Sequence, residues 1–493
     1  MTAELTYDNK EGVKVQMPSE EVMAEETSGS VIPYMCVFID ASLKDMSSAA
    51  LECMCTTHDR KAMIQELKSM WTIPANPNPV LPLLSVRTGF DLFLRVMNFP
   101  PGSEVIMSAM NIPDMVRIVQ HHKLHIVPLD ISIDTAAPKV DLLPQLVSSR
   151  TVAIVIAHLY GKWSPMDEIV SFAKEHDLYV VEDCAECFCG FDRLGHPETD
   201  VTLFSFGVIK YYTSFGGAIA KIKPGLYEKM LALQESYSIQ SQAVYLKKIL
   251  KYVALYLVLN SPRINKTSIG LCQMLGYTDY KDRAVKLLRG FPDRLVERIR
   301  EQPSGAILAT MLKRQKSFSP ADFYLQRVKG DYVASRLPRT LEVVGSKAPI
   351  NNYWLFPVVA DNPDNLVYLL NALGVDAYRG ATQLNIVEPM NGSPEPLVEP
   401  QKNHERRAVD ITSGSQESQD SDLSDSSSDH VPAVNKQYPH EAKYLVDHVV
   451  YLPVSKLVPF HVLNRMLRAI RTAVTLDNSQ GEEKVKVILP SKL

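Results

Sequence analysis

The chain has 493 residues, 46% of them hydrophobic and 22% charged, with a formal net charge of -4. That is the profile of a soluble globular protein, long enough for a large core and two domains, and it carries no electrostatic footprint for nucleic acid. The first residues, MTAELTYDNKEGVKVQ, lack the basic-then-apolar pattern of a secretory signal, and no apolar run reaches the roughly eighteen residues of a membrane span, so a cytoplasmic protein is expected.

Residues 1–75 alternate apolar pieces such as Val31 to Ile39 with polar ones. They read as an N-terminal extension, partly disordered or an added decoration, with no function assigned. From Leu81 the pattern becomes regular. A loop at Ser85 leads into a helix whose apolar positions Phe90, Leu92, Phe93, Val96 and Met97 gather on one side. Strand Glu104 to Ser108 follows, then a helix from Pro113, strand Leu124 to Leu129, helix Leu142 to Val147, strand Val152 to His158 and helix Met166 to Lys174. This alternation predicts an α/β fold, a mostly parallel central sheet flanked by helices, in a large domain over 76–330.

The stretch from Val180 to Ile222 organises the rest. An apolar strand, Leu178 to Val181, ends in the acids Glu182 and Asp183. A second strand, Val201 to Phe206, carries Ser205 at its end; Lys210 stands five residues on, then Gly216 and Gly217 and a third apolar strand, Ala218 to Ile222. Strand ends in an α/β sheet are where ligands sit, so an acid, a hydroxyl and an amine there point to a site. The chemistry that needs this trio is that of pyridoxal 5'-phosphate. Its aldehyde needs an amine, Lys210; its pyridine nitrogen needs an acid to keep it protonated, Asp183; its phosphate needs a hydroxyl, Ser205, while paired glycines let backbone approach closely. Cys184, Cys187 and Cys189 form CxxCxC beside Asp183, and Cys53, Cys55 and His58 are neighbours in sequence. Seven cysteines are an odd number, and on a buried strand cysteine serves as a small apolar filler, so neither a disulfide framework nor a metal is expected.

The order ED…FSF…K…GG, preceded by HLYG at His158 to Gly161, resembles the DegT/DnrJ/StrS family of sugar aminotransferases, which have the type I aminotransferase fold. The resemblance runs from about Ile73 to Ala473 and implies further roles. The small-residue turn at Thr88 and Gly89 would present N–H groups to the phosphate, the bland alternative being an ordinary capped helix. Where the family usually stacks an aromatic residue on the ring, this chain has Asn111 and Ile112, and Ile112 can pack on the ring face but not stack. Glu186 stands where glutamine or histidine usually lies near the ring hydroxyl, and adds negative charge. Arg289 and Arg300 fall in a segment loosely like one that reaches the partner subunit's phosphate, with Pro292 where asparagine is expected. Because the family builds sites between subunits, a homodimer is expected.

A helical insertion spans about 224–289. Within it Ala243 to Asn260 is a strongly apolar helix with Lys247, Lys248 and Lys251 near its start. It reads as packed against the domain or a partner subunit, or alternatively as a peripheral membrane helix with Tyr252 and Tyr256 at the interface. A smaller C-terminal α+β domain over 331–493 begins with strand Tyr353 to Ala360 and helix Pro363 to Leu373, closed by Gly374. Tyr378, Arg379 and Gln383 are its candidates for substrate contact, and from His448 a strand, a turn and an amphipathic helix complete it. Its interruption at 391–439 is acidic and serine-dense and is expected to be disordered, with serines suited to acid-directed kinases, a solvated spacer being the simpler account. The resemblance implies a transaminase moving an amino group from an amino acid, glutamate first, to a nucleotide-linked keto-sugar in glycan or polysaccharide precursor synthesis, with Lys210 as acid–base catalyst. A reading from another class is a catalytically degraded relative with a regulatory or interaction role, for which Ile112, Glu186 and Pro292 are the grounds.

Overall fold

The computed structural model describes residues 5–8, 14–17, 34–54, 57–261, 294–380, 384–389 and 438–479, with scattered residues between 263 and 274. Cys55, Arg289, Pro292, Gln383 and the acidic serine-dense stretch up to residue 437 lie outside them.

Seven strands form the central sheet: β1 (Val80–Leu83), β2 (Glu104–Ser108), β3 (His125–Leu129), β4 (Thr151–Ala157), β5 (Tyr179–Asp183), β6 (Val201–Ser205) and β7 (Ala218–Ile222). Their order is β1-β7-β6-β5-β4-β2-β3. β7 runs antiparallel to both of its neighbours, and the pairs from β6 to β3 are parallel. Strands such as TVAIVIA and VTLFS are covered on both faces, which is why they read as apolar runs and not as alternating ones. The chain passes from β2 to β3 on one side and back across β2 to β4 on the other. The topological switch, and with it the ligand crevice such sheets offer, therefore lies at the carboxyl ends of β2 and β4.

The helices that matter for the site pack around this sheet. Before it come α1 (Leu43–Met54) and α2 (Arg60–Trp71). α3 (Val86–Met97) follows β1, α4 (Pro113–His121) follows β2 and α5 (Asp167–Glu175) precedes β5. α6 (Gln242–Leu259) is the apolar helix of the insertion; α7 (Gly305–Lys316) and α8 (Pro320–Ala334) come after it. The C-terminal part has its own three-stranded antiparallel sheet, β8 (Glu342–Val343), β9 (Phe356–Val359) and β10 (Val449–Leu452) in that order, with α9 (Pro363–Ala372), α10 (His440–His448) and α11 (Phe460–Ser479). Its core of Phe356, Leu366, Leu370, Val450, Leu463 and Ile470 is separate from that of the large sheet.

Three features depart from the sequence reading. The residues before 76 are not merely an appendage: Trp71, at the end of α2, is fully buried, stacks on Phe188 at 5.6 Å and donates through Nε1 to Gln315 Oε1 (2.8 Å). A strand expected from Tyr353 starts only at Phe356, because Tyr353 takes a left-handed conformation (φ 48°) that turns the chain first. In α6, Tyr252 is buried and not held at a surface; no helix among the described residues is long and apolar enough to cross a membrane.

Candidate functional site

The two acids at the end of β5 point to opposite faces, as strand alternation requires. Glu182 turns inward. His158 donates from Nε2 to Glu182 Oε1 (2.9 Å), while Ser164 N–H donates to His158 Nδ1 (3.0 Å), which fixes the imidazole tautomer. The other oxygen of Glu182 accepts from His196 N–H and from Thr202. Burial pushes this carboxyl up, but these donors hold it below the usual carboxylate range. Asp183 turns the other way, into a cleft with about 180 Å³ of free volume.

Lys210, Ser205, Glu186 and Ile112 line the same cleft. The parallel register sets Leu203 of β6 beside Asp183, so Ser205 lies two residues further along, at the strand's end. A tight turn, with Lys210 N–H bonded to Gly207 O (3.0 Å), then brings the lysine back. Lys210 Nζ lies 3.4 Å from Glu186 Oε1 and 3.9 Å from the centre of the Trp354 ring. Glu186 is itself fixed through its other oxygen, which accepts the Tyr160 N–H at 2.8 Å. Burial raises the Asp183 carboxyl to about 6, against the Ala185 N–H bonded to Oδ1 (2.9 Å) and the nearby Lys210. A cation placed next to Asp183 would therefore be held strongly, since it would relieve that desolvation.

The other end of the cleft is built by the start of α3. Ser85 caps the helix, its hydroxyl accepting the Thr88 N–H (3.2 Å), and Ser85, Val86 and Arg87 face the cleft. Thr88 and Gly89 do not line it. The Thr88 hydroxyl donates to Ile299 O (2.8 Å), and at Gly89 a Cβ would meet Leu203 Cδ2 at 2.6 Å and Leu83 Cδ1 at 2.7 Å. Gly89 seats the helix on β1 and β6 and Thr88 ties it to Ile299; the residues one turn earlier make the cradle. Opposite them the turn at Gly216 and Gly217 closes the cleft, with Gly217 at φ 85° and its N–H bonded to Leu84 O (3.1 Å).

Several lining residues carried no clear signal in the sequence. Val37 comes from the segment before α1, Lys248 and Tyr252 from α6, and Trp354 from the turn before β9. Asn111 Nδ2 also stands here, buried and without a hydrogen-bond partner among the described residues. Conversely, Arg300 binds Asp91 (2.9 Å from both Nε and Nη2) and Arg379 binds Asp364 (2.8 Å), and neither they nor Tyr378 line the cleft. The residues present fit pyridoxal phosphate: an amine, a buried acid, a helix N-terminus beside a hydroxyl, and an unspent amide donor at Asn111.

Known proteins share part of this sequence and its fold. Residues 82–256 match the sequence model of the DegT/DnrJ/EryC1/StrS aminotransferase family. GDP-perosamine synthase of Escherichia coli O157:H7 is 30% identical over 143 residues, 28% of this chain and 39% of that protein. UDP-4-amino-4-deoxy-L-arabinose–oxoglutarate aminotransferase of Shewanella sediminis is 31% identical over 139 residues, 28% of this chain and 36% of that protein. The matched region thus spans well under half of these relatives. Among solved structures, NtdA from Bacillus subtilis with bound cofactor PMP superposes with a TM-score of 0.58 at 14% identity, covering 92% of this chain and 87% of that one, which shows a shared fold.

Proposed function

We propose, for a chain whose residues 82–256 match the model of the DegT/DnrJ/EryC1/StrS aminotransferase family, a pyridoxal-phosphate-dependent transfer of an amino group from glutamate to a nucleotide-linked keto-sugar. The observation that carries the reading is the meeting of Lys210, Asp183 and Ser205 in one cleft at the carboxyl ends of the parallel strands. The sugar class is supported by relatives whose names specify GDP- and UDP-sugars, and the donor by the one whose name includes oxoglutarate.

When bound, the cofactor supplies an aldehyde and a ring that withdraws electrons from the donor's α-carbon. The chain's residues do the rest. Lys210 would hold the aldehyde through Nζ and would carry the α-proton of the donor as acid and base. Asp183 keeps the ring nitrogen protonated and gains a cation in return for its burial. Ser205 and the first residues of α3 hold the phosphate, with Ile112 available against a ring face. Glu186 and the Trp354 ring fix where the amine of Lys210 rests.

Spectrophotometry of the purified protein tests this. Loaded with pyridoxal phosphate it should absorb visible light, lose that absorbance when glutamate is added with release of 2-oxoglutarate, and regain it with a nucleotide-linked keto-sugar. A loaded protein whose spectrum no amino acid changes would refute the assignment.

A further inference from the structure

The insertion helix contributes more to the cleft than a wall. Tyr245, Lys248, Ile249 and Tyr252 fall at i, i+3, i+4 and i+7 and share one face of α6. That face is anchored at the phosphate end of the site: Tyr245 donates to Ser214 O at 2.6 Å, and its ring lies 3.9 Å from where a Cβ on Gly216 would stand. The Ser214–Gly217 turn is in turn bonded to both partners of the cradle. Gly217 N–H reaches Leu84 O (3.1 Å), next to Ser85, and Gly216 N–H reaches Phe206 O (3.1 Å), next to Ser205. Three consecutive contacts thus place α6 over the start of α3 and the end of β6, and Lys248 and Tyr252 line the cleft from there.

We propose that Lys248 completes the phosphate cradle within the same chain, its ammonium facing the cofactor's phosphate alongside Ser205, Ser85 and the amides at the start of α3. This rests on the cofactor reading above and goes beyond it, because it gives the insertion helix a binding role. The surroundings suit an anion. Lys251 and Arg298 act on Lys248 with like charge and Glu301 with opposite charge, and burial, the largest effect, draws its pKa below the ordinary lysine value. A phosphate dianion would reverse that shift. Lys247, one residue earlier, is exposed and serves as the control.

The test compares the affinity of cofactor-free protein for pyridoxal phosphate, for pyridoxal and for UDP, by fluorescence titration, in wild type, Lys248→Met, Lys248→Arg and Lys247→Met. Lys248→Met should weaken pyridoxal phosphate roughly ten- to a hundred-fold while pyridoxal changes less than about two-fold. Lys248→Arg should recover part of the loss and Lys247→Met should match wild type. Equal weakening of phosphate and pyridoxal, or none of either, overturns the proposal. So does loss of UDP binding with pyridoxal phosphate unaffected, which would assign the lysine to the substrate's phosphates. Wild type that binds neither pyridoxal phosphate nor pyridoxal overturns the cofactor reading itself, and this proposal with it.

Discussion

Replacing Asp183 with asparagine should make the cofactor-free protein more stable and the enzyme worse. Burial lifts the Asp183 carboxyl from 3.8 to about 6. The protonated form is the one the fold prefers, so its contribution is complete below the unfolded value and is lost as pH rises through the folded one. Each unit is worth about 1.4 kcal/mol, so ionising Asp183 costs the empty fold about 3 kcal/mol above neutral pH. Asparagine resembles the protonated acid, keeps an oxygen for the Ala185 N–H and does not titrate. Urea unfolding of both cofactor-free proteins from about pH 4 to about pH 8 should show curves that nearly coincide at the acid end and separate to about 3 kcal/mol in favour of Asp183→Asn at the alkaline end. The order should reverse in function, with pyridoxal phosphate stabilising the variant far less than wild type. A difference that does not change with pH, or a variant less stable at about pH 8, would refute the argument that Asp183 is held charged at a cost for the sake of a cation.

Other substitutions probe single contacts. Lys210→Ala should lower kcat by at least on the order of 10³, read in a coupled glutamate assay. Glu186→Ala strands the Tyr160 N–H and should cost about 1–3 kcal/mol in urea unfolding, whereas Glu186→Gln, which keeps an acceptor, should cost about 1 kcal/mol or less. Gly89→Ala drives a methyl against Leu203 and Leu83 and should destabilise by about 1–3 kcal/mol, with weaker cofactor binding because α3 is displaced. Asp40 accepts from the Tyr212 N–H (3.0 Å) and pairs with Lys456 (2.7 Å), tying the segment before α1 to the turn after Lys210 and to the C-terminal part. Asp40→Ala should therefore cost about 3 kcal/mol, measured as a lowered unfolding midpoint.

The α/β class was legible because the central strands are buried on both faces and their apolar runs are bounded by polar turns. Parallel crossovers then leave little choice about where their carboxyl ends lie, so Asp183, Ser205 and Lys210 could be grouped without knowing a distance. What escaped depended on local geometry that composition does not encode. The register at the start of α3 is decided by the Ser85 cap, which moves the cleft-facing turn ahead of Thr88 and Gly89. The ring of Trp354 reaches Lys210 because Tyr353 breaks the strand just before it. Arg379 looked suited to a carboxylate, and it found one in Asp364, 15 residues away in the chain. The face of α6 was ambiguous because that helix is apolar nearly all round, and only packing against α1 and the Ser214 turn selects Lys248 for the cleft.

Borohydride reduction followed by peptide mass mapping bears most directly on the central claim. Treated with pyridoxal phosphate and then borohydride, the protein should carry the reduced cofactor on the peptide containing Lys210, and Lys210→Ala should carry none. Label on Lys248 or on no lysine at all would contradict the account.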